Sequence, residues 1–288
     1  MKAFVDWVLS RRYRLILLAL VFASLLPVAT TALIALETAR RGANHGAVSA
    51  GIGTVAIAAL SWFTAADVTL SATFGAITFF SGVAIGVLLE RAGNLVLAFQ
   101  VAMLLVLLLV AGVTLFGPEP SELFAPVIAE IAELLRASGA TSEQVAVVEG
   151  WGGILFAAAA FSQVMGPLLL AYWWLSIASG QKRFGREFRE LKLGRVLGVA
   201  ATAMIALGLV FATPLVQNLT ALALAGFVLQ GLAILHAWAH AKRWHVSFIV
   251  PVYVLLVTPL MVLVLLALGA LGLMDNWFDL RARLRAQA

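Results

Sequence analysis

The chain has 288 residues, of which 63% are apolar and 11% charged, with a net charge of +5. Soluble domains carry about 25% charged residues, and even a large aqueous fold leaves part of its surface wet, so a water-soluble fold is excluded. The absence of cysteine excludes disulfide and thiolate chemistry, and no basic stretch is interleaved with aromatics as a nucleic-acid module requires.

Lys2, Arg11, Arg12 and Arg14 precede an apolar run over residues 15–36. That run exceeds the 7–15 residues of a cleavable signal segment, and the expectation is a retained first helix. It holds thirteen Leu, Ile, Val or Phe residues, which favour insertion by several kcal/mol, at about −0.3 to −0.6 each. Ala19-Leu-Val-Phe-Ala23 within it is a small-xxx-small match.

Further runs of the length that spans a bilayer follow at 47–65, 68–89, 94–116, 151–178, 196–212, 214–237 and 247–273. Eight hydrophobic helices are therefore expected. The pairs 47–65/68–89 and 196–212/214–237 are separated only by Ala66-Asp67 and Thr213-Pro214, so one member of each pair is a candidate for dipping into the bilayer without crossing. Gly82-Val-Ala-Ile-Gly86 is a GxxxG match, a pattern that lets helix backbones approach closely.

Residues 117–150 carry six glutamates against one arginine. Leu123, Phe124, Val127, Ile128, Ile131, Leu134 and Leu135 recur there at helical spacing, giving one apolar stripe. Gly139 reads as a helix stop, and Thr141 with Gln144 as the capping box of a second short helix. An acidic amphipathic hairpin is expected on the membrane surface or across the end of the bundle.

Gly180 to Arg195 contains six basic residues, with Phe184, Phe188 and Leu191 on one face. This predicts a basic interfacial helix against anionic headgroups. The domain organisation expected is an N-terminal bundle half at 1–116, the acidic loop at 117–150, and a C-terminal half at 151–288 containing the basic segment 179–195. Eight crossings place eleven Lys/Arg inside and eight outside, whereas six place sixteen inside and three outside. The positive-inside rule favours six, with both termini cytoplasmic.

No P-loop, GxSxG or HExxH pattern occurs, so neither a nucleotide nor a hydrolytic site is indicated. Glu37, Asp67 and Glu90 fall at predicted helix ends within reach of water, unlike the mid-membrane carboxylate of an ion pump. His236 and His240 share a helical face, with His245 a turn further on, but no acidic partner lies nearby in sequence, and no metal or cofactor is expected.

The polar side chains inside apolar helices are more informative, because lipid makes each costly. Gln163, Gln217, Asn218 and Gln230, with Tyr172 and Trp173, are candidates for holding a small neutral ligand; helix-to-helix hydrogen bonding is the alternative. Asp275 and Asp279 straddle Trp277 ahead of Arg281. That tail suits an interfacial helix or a docking handle, as do Arg186 and Arg189 in the basic segment.

Tyr172-Trp-Trp-Leu, the Phe184-Gly-Arg-Glu-Phe-Arg-Glu-Leu-Lys-Leu stretch and the ending Leu271-Gly-Leu-Met-Asp-Asn-Trp-Phe-Asp-Leu-Arg281 resemble the YybS-like family of bacterial membrane proteins. That family is distantly similar to the S-components of energy-coupling-factor vitamin transporters. The resemblance implies a non-enzymatic subunit of the bacterial inner membrane that binds a small molecule, with energy supplied by other chains. It also implies that Ala19 and Ala23 contact the energising partner. The chain departs from those S-components in having two extra hydrophobic segments and no ligand signature. A structural or scaffold subunit of a membrane-protein complex is the other reading.

Overall fold

The computed structural model describes residues 1–285 apart from 65, 118–119 and 182; the side chains of 120, 121, 123, 246 and 283–285 are also outside the description. The chain is all-α, 86% helical, with no strand among the described residues. Its helices are α1 (Lys2–Ser10), α2 (Arg12–Leu25), α3 (Pro27–Arg41), α4 (Ala43–Phe63), α5 (Val68–Ala92), α6 (Leu95–Phe116), α7 (Pro120–Ala137), α8 (Ser142–Glu149), α9 (Gly152–Ala178), α10 (Arg183–Arg189), α11 (Gly194–Gly208), α12 (Pro214–Ala241), α13 (Val250–Leu255), α14 (Met261–Phe278) and α15 (Leu280–Arg285).

Six of these, α4, α5, α6, α9, α12 and α14, are long and apolar enough to cross a membrane, and a seventh span results if the bent pair α10–α11 counts as one. The protein is thus a multi-pass membrane protein. Both members of the 47–65/68–89 pair reach spanning length, at 21 and 25 residues. The polar break between them is a helix start: the Asp67 carboxylate accepts a hydrogen bond from the Leu70 amide at 2.9 Å, which satisfies one of the free donors of the first turn.

Three expected spans take a different form. The run 15–36 breaks at Leu26, whose φ of −149° and ψ of 71° lie outside the helical region. Pro27 causes the break, since it lacks an amide hydrogen and forces its predecessor out of the α conformation. The run 247–273 also breaks. A 3₁₀ turn (Val246–Phe248) and α13 precede Pro259, and the long helix starts only at Met261 and continues to Phe278. Residues 196–212 give α11, whose 15 residues span only about 22 Å at 1.5 Å per residue, and it meets α10 at a bend of 53°.

The chain divides into two compact units, Met1–Ala102 with Ser162–Phe188, and Met103–Phe161 with Arg189–Ala288. In the first, α3 is the core: its residues 29–38 are all buried, packed by α2, α4 and α5. The GxxxG glycines of α5 make this possible. A Cβ at Gly82 would stand 2.6 Å from the Thr31 carbonyl oxygen, and one at Gly86 2.7 Å from that of Ala35. Any side chain there would push α5 away from α3.

In the second unit α12 is the axis, packed by α11 and α14. Backbone meets backbone again, with Gly231 against Leu268 and Gly272 against Phe227. The α7–α8 hairpin belongs to this unit. Its Thr141–Gln144 capping box forms as expected, and Arg136 bridges Glu149 at 2.6 Å.

Candidate functional site

The amides singled out in the sequence are mostly engaged within the protein. In the first unit, Gln163 on α9 donates to Thr31 Oγ1 at 2.8 Å, and Thr31 donates onward to the Thr78 carbonyl at 2.9 Å. One polar chain thereby stitches α9, α3 and α5. In the second unit, Asn218 is buried above Gly153 and donates to Thr114 Oγ1 at 3.3 Å. Gln230 has no exposed surface; it accepts from the Leu193 amide at 3.0 Å and donates to Asp275 at 2.9 Å. Gln217 is exposed.

Ala19 and Ala23 are buried inside the first unit, and the Ala19 carbonyl accepts from Thr30 Oγ1 of α3 at 2.8 Å. Their face of α2 is covered by the protein's own α3.

Glu37 corrects an expectation. It is completely buried, between Arg41 at 3.3 Å and Arg12 at 3.9 Å. Arg41 also bonds the Leu9 carbonyl, so one carboxylate ties α1, α2 and α3 together. Water does not reach it because the Pro27 break turns α3 into the centre of the unit.

The basic segment is held by buried polar side chains, Ser176, Glu187, Gln230 and Arg281, of which only Glu187 lies within it. Its first half lies in the first unit. Ser176 Oγ donates to the Gln181 carbonyl at 2.6 Å and accepts from the amides of Arg183 and Phe184 at 3.0 and 3.1 Å. Glu187, also buried, accepts from Tyr172 Oη at 2.6 Å and from the Leu95 amide at 2.8 Å. A single carboxylate oxygen thus caps the start of α6 and holds α10 against α9. Tyr172 and Trp174 are themselves buried, so only part of the Tyr-Trp-Trp triplet can serve as an interfacial anchor. Trp173 instead lines a cleft of about 480 Å³ with Ser176, Ile177, Gly180, Phe184 and Gly185.

The second half, from Arg189, lies in the second unit and is held by the chain's ending. Arg281 donates to the carbonyls of Arg189 and Leu191 at 2.7 and 2.8 Å. It pairs with Asp275 at 2.6 Å, and Asp275 in turn holds Gln230. The turn that brings Arg281 back depends on Asp279, which ends α14 in the left-handed conformation with φ 41°, a region that Asp tolerates better than most residues.

With the backbone pinned in this way, the side chains of Arg183, Arg186, Lys192 and Arg195 are exposed. Sequence reasoning missed Glu187 and Ser176, and read Glu37 only as a solvated helix-end carboxylate. Glu187 had a readable signal: an acid three residues after Phe184 and four before Leu191 interrupts the apolar face of a basic helix. Among the described residues no cluster of three metal-binding side chains occurs; His236 is engaged with the Leu232 carbonyl at 2.8 Å.

Comparison with family models, with curated proteins and with solved structures finds no match for this chain.

Proposed function

We propose that the protein is a non-enzymatic structural subunit of a bacterial inner-membrane assembly, with the basic segment 180–195 as its partner-facing surface. The observation that carries this reading is the density of buried hydrogen bonds spent on that segment. Setting membrane orientation requires only positive charge in a loop, and loose attraction to anionic lipid requires no more. Here Ser176, Glu187 and Arg281 fix its backbone through interactions that are costly to leave unmade. Fixing a loop so firmly lowers the ordering cost of docking a partner on it.

The engaged amides support the same reading. Gln163, Asn218 and Gln230 join helices, which is the structural use of polar side chains in membrane proteins. The second reading, a small-molecule-binding transport subunit, is favoured by the aromatic cleft at Trp173, whose volume falls in the range of ligand sites.

Blue-native electrophoresis of gently solubilised membranes tests the proposal. The wild type should migrate in a complex well above the mass of the 30.5 kDa chain in detergent, and Arg183→Glu with Arg186→Glu should release it. A wild type that runs as a lone chain overturns the structural reading.

A further inference from the structure

A second cleft, of about 400 Å³, lies in the second unit between the end of the basic segment and the end of α14. It is lined by Lys192, Gly194, Arg195, Asp275, Asn276, Trp277 and Asp279. Its floor is closed chemistry: Asp275 is buried and committed to Arg281 and Gln230. Its walls are open. The Arg195 guanidinium is exposed and the Asn276 carboxamide, half-buried, lies against Gly198; neither makes a hydrogen bond or ion pair among the described residues. Trp277 stands at the mouth, half exposed, its indole N–H donating to Thr202 Oγ1 at 3.2 Å.

The geometry points to a binding site for the phosphodiester headgroup of one anionic phospholipid. Arg195 supplies planar paired donors that match phosphate oxygens, Asn276 adds an uncharged donor, and Lys192 adds charge. With Asp275 neutralised by Arg281, Lys192 and Arg195 against Asp279 leave the cleft one positive charge in excess, the complement of a monoanionic phosphodiester. Depth agrees as well. The cleft sits at the end of a spanning helix beside Trp277, and tryptophan collects at the headgroup level. A lipid held there has its acyl chains beside the exposed apolar face of α14, where Leu263, Leu266 and Met274 lie open. The cleft shares Lys192 and Arg195 with the basic segment, but Arg183 and Arg186, whose exchange tests the docking surface, are not among its lining residues.

Native mass spectrometry of the full chain, released from detergent with equal amounts of phosphatidylglycerol and phosphatidylcholine of the same chain length, tests it. The wild type should retain one phosphatidylglycerol in preference to phosphatidylcholine. Arg195→Gln with Asn276→Ala should weaken that binding about tenfold, as loss of a charge-assisted contact implies. Arg183→Gln with Arg186→Gln, which removes more charge outside the cleft, should leave it unchanged. Equal retention of the two lipids, equal weakening by both double variants, or full displacement by soluble glycerophosphate would each overturn the assignment. Melting temperature of each variant identifies any loss that comes from unfolding.

Discussion

Arg281 grips Asp275 Oδ2 with both Nε and Nη2, at 3.1 and 2.6 Å, while its guanidinium also holds two carbonyls from residues 189 and 191. The pair is buried, with side-chain exposures of 10% and 2%. Removing one partner of such a pair strands a buried charge, at a cost of about 3–5 kcal/mol. Arg281→Met is therefore expected to lower the unfolding temperature sharply, and Asp275→Leu with Arg281→Met to recover much of the loss. Thermal unfolding in detergent, followed by circular dichroism, checks both.

Tyr172 and the Leu95 amide share one oxygen of Glu187. Tyr172→Phe removes the shorter contact but leaves the helix cap in place, so the cost is about 1.5–3 kcal/mol, that of a hydrogen bond to a charged group. Faster proteolytic cutting between residues 180 and 189 is the expected local sign. Unchanged cutting would show that Tyr172 does not hold the segment.

Gly86 and Gly51 are both helical but differ in surroundings. A Cβ at Gly86 meets the backbone of α3, whereas one at Gly51 meets nothing within 4 Å. Gly86→Ala should destabilise by about 1–3 kcal/mol through overpacking. Gly51→Ala should be neutral or stabilising by up to about 1 kcal/mol, because alanine is the better helix former. Paired melting curves decide the comparison.

Two of the engaged amides, Asn218 and Gln230, are expected to respond unequally. Asn218→Leu removes one long interhelical bond and should cost about 0.6 kcal/mol before any packing change, the mean for such bonds in membranes. Gln230→Leu leaves the Leu193 amide and one side of Asp275 without their partner, and should cost about 1–3 kcal/mol for the amide alone. Equal melting temperatures for the two variants would contradict the bonding described for Gln230.

The sequence showed the helical class and most of the spanning helices, because apolar length alone decides these. Tertiary roles were less legible. The broken first run could be read at Pro27 only by weighting one residue over thirteen apolar neighbours, and Pro259 hid in the same way. Gly82 and Gly86 were readable as a close-packing pair, though not that α3 was their partner. The polar residues misled in a consistent way. Gln230 was assigned to a ligand and Asp275 with Arg281 to a docking tail, yet the three form one network, since residues 45 and 51 positions apart in sequence meet only through the packing of α12 on α14. Glu37 lay near a helix end in sequence, and only burial of the whole of α3 removed it from water.

Buried partners hold the backbone of the basic segment at Gln181, Arg183, Phe184, Arg189, Leu191 and Leu193. Hydrogen–deuterium exchange of the intact protein in lipid nanodiscs measures this directly, through the amides of Arg183, Phe184 and Leu193. Protection approaching that of α12 is the predicted result; exchange at the rate of an open, solvated loop would contradict it.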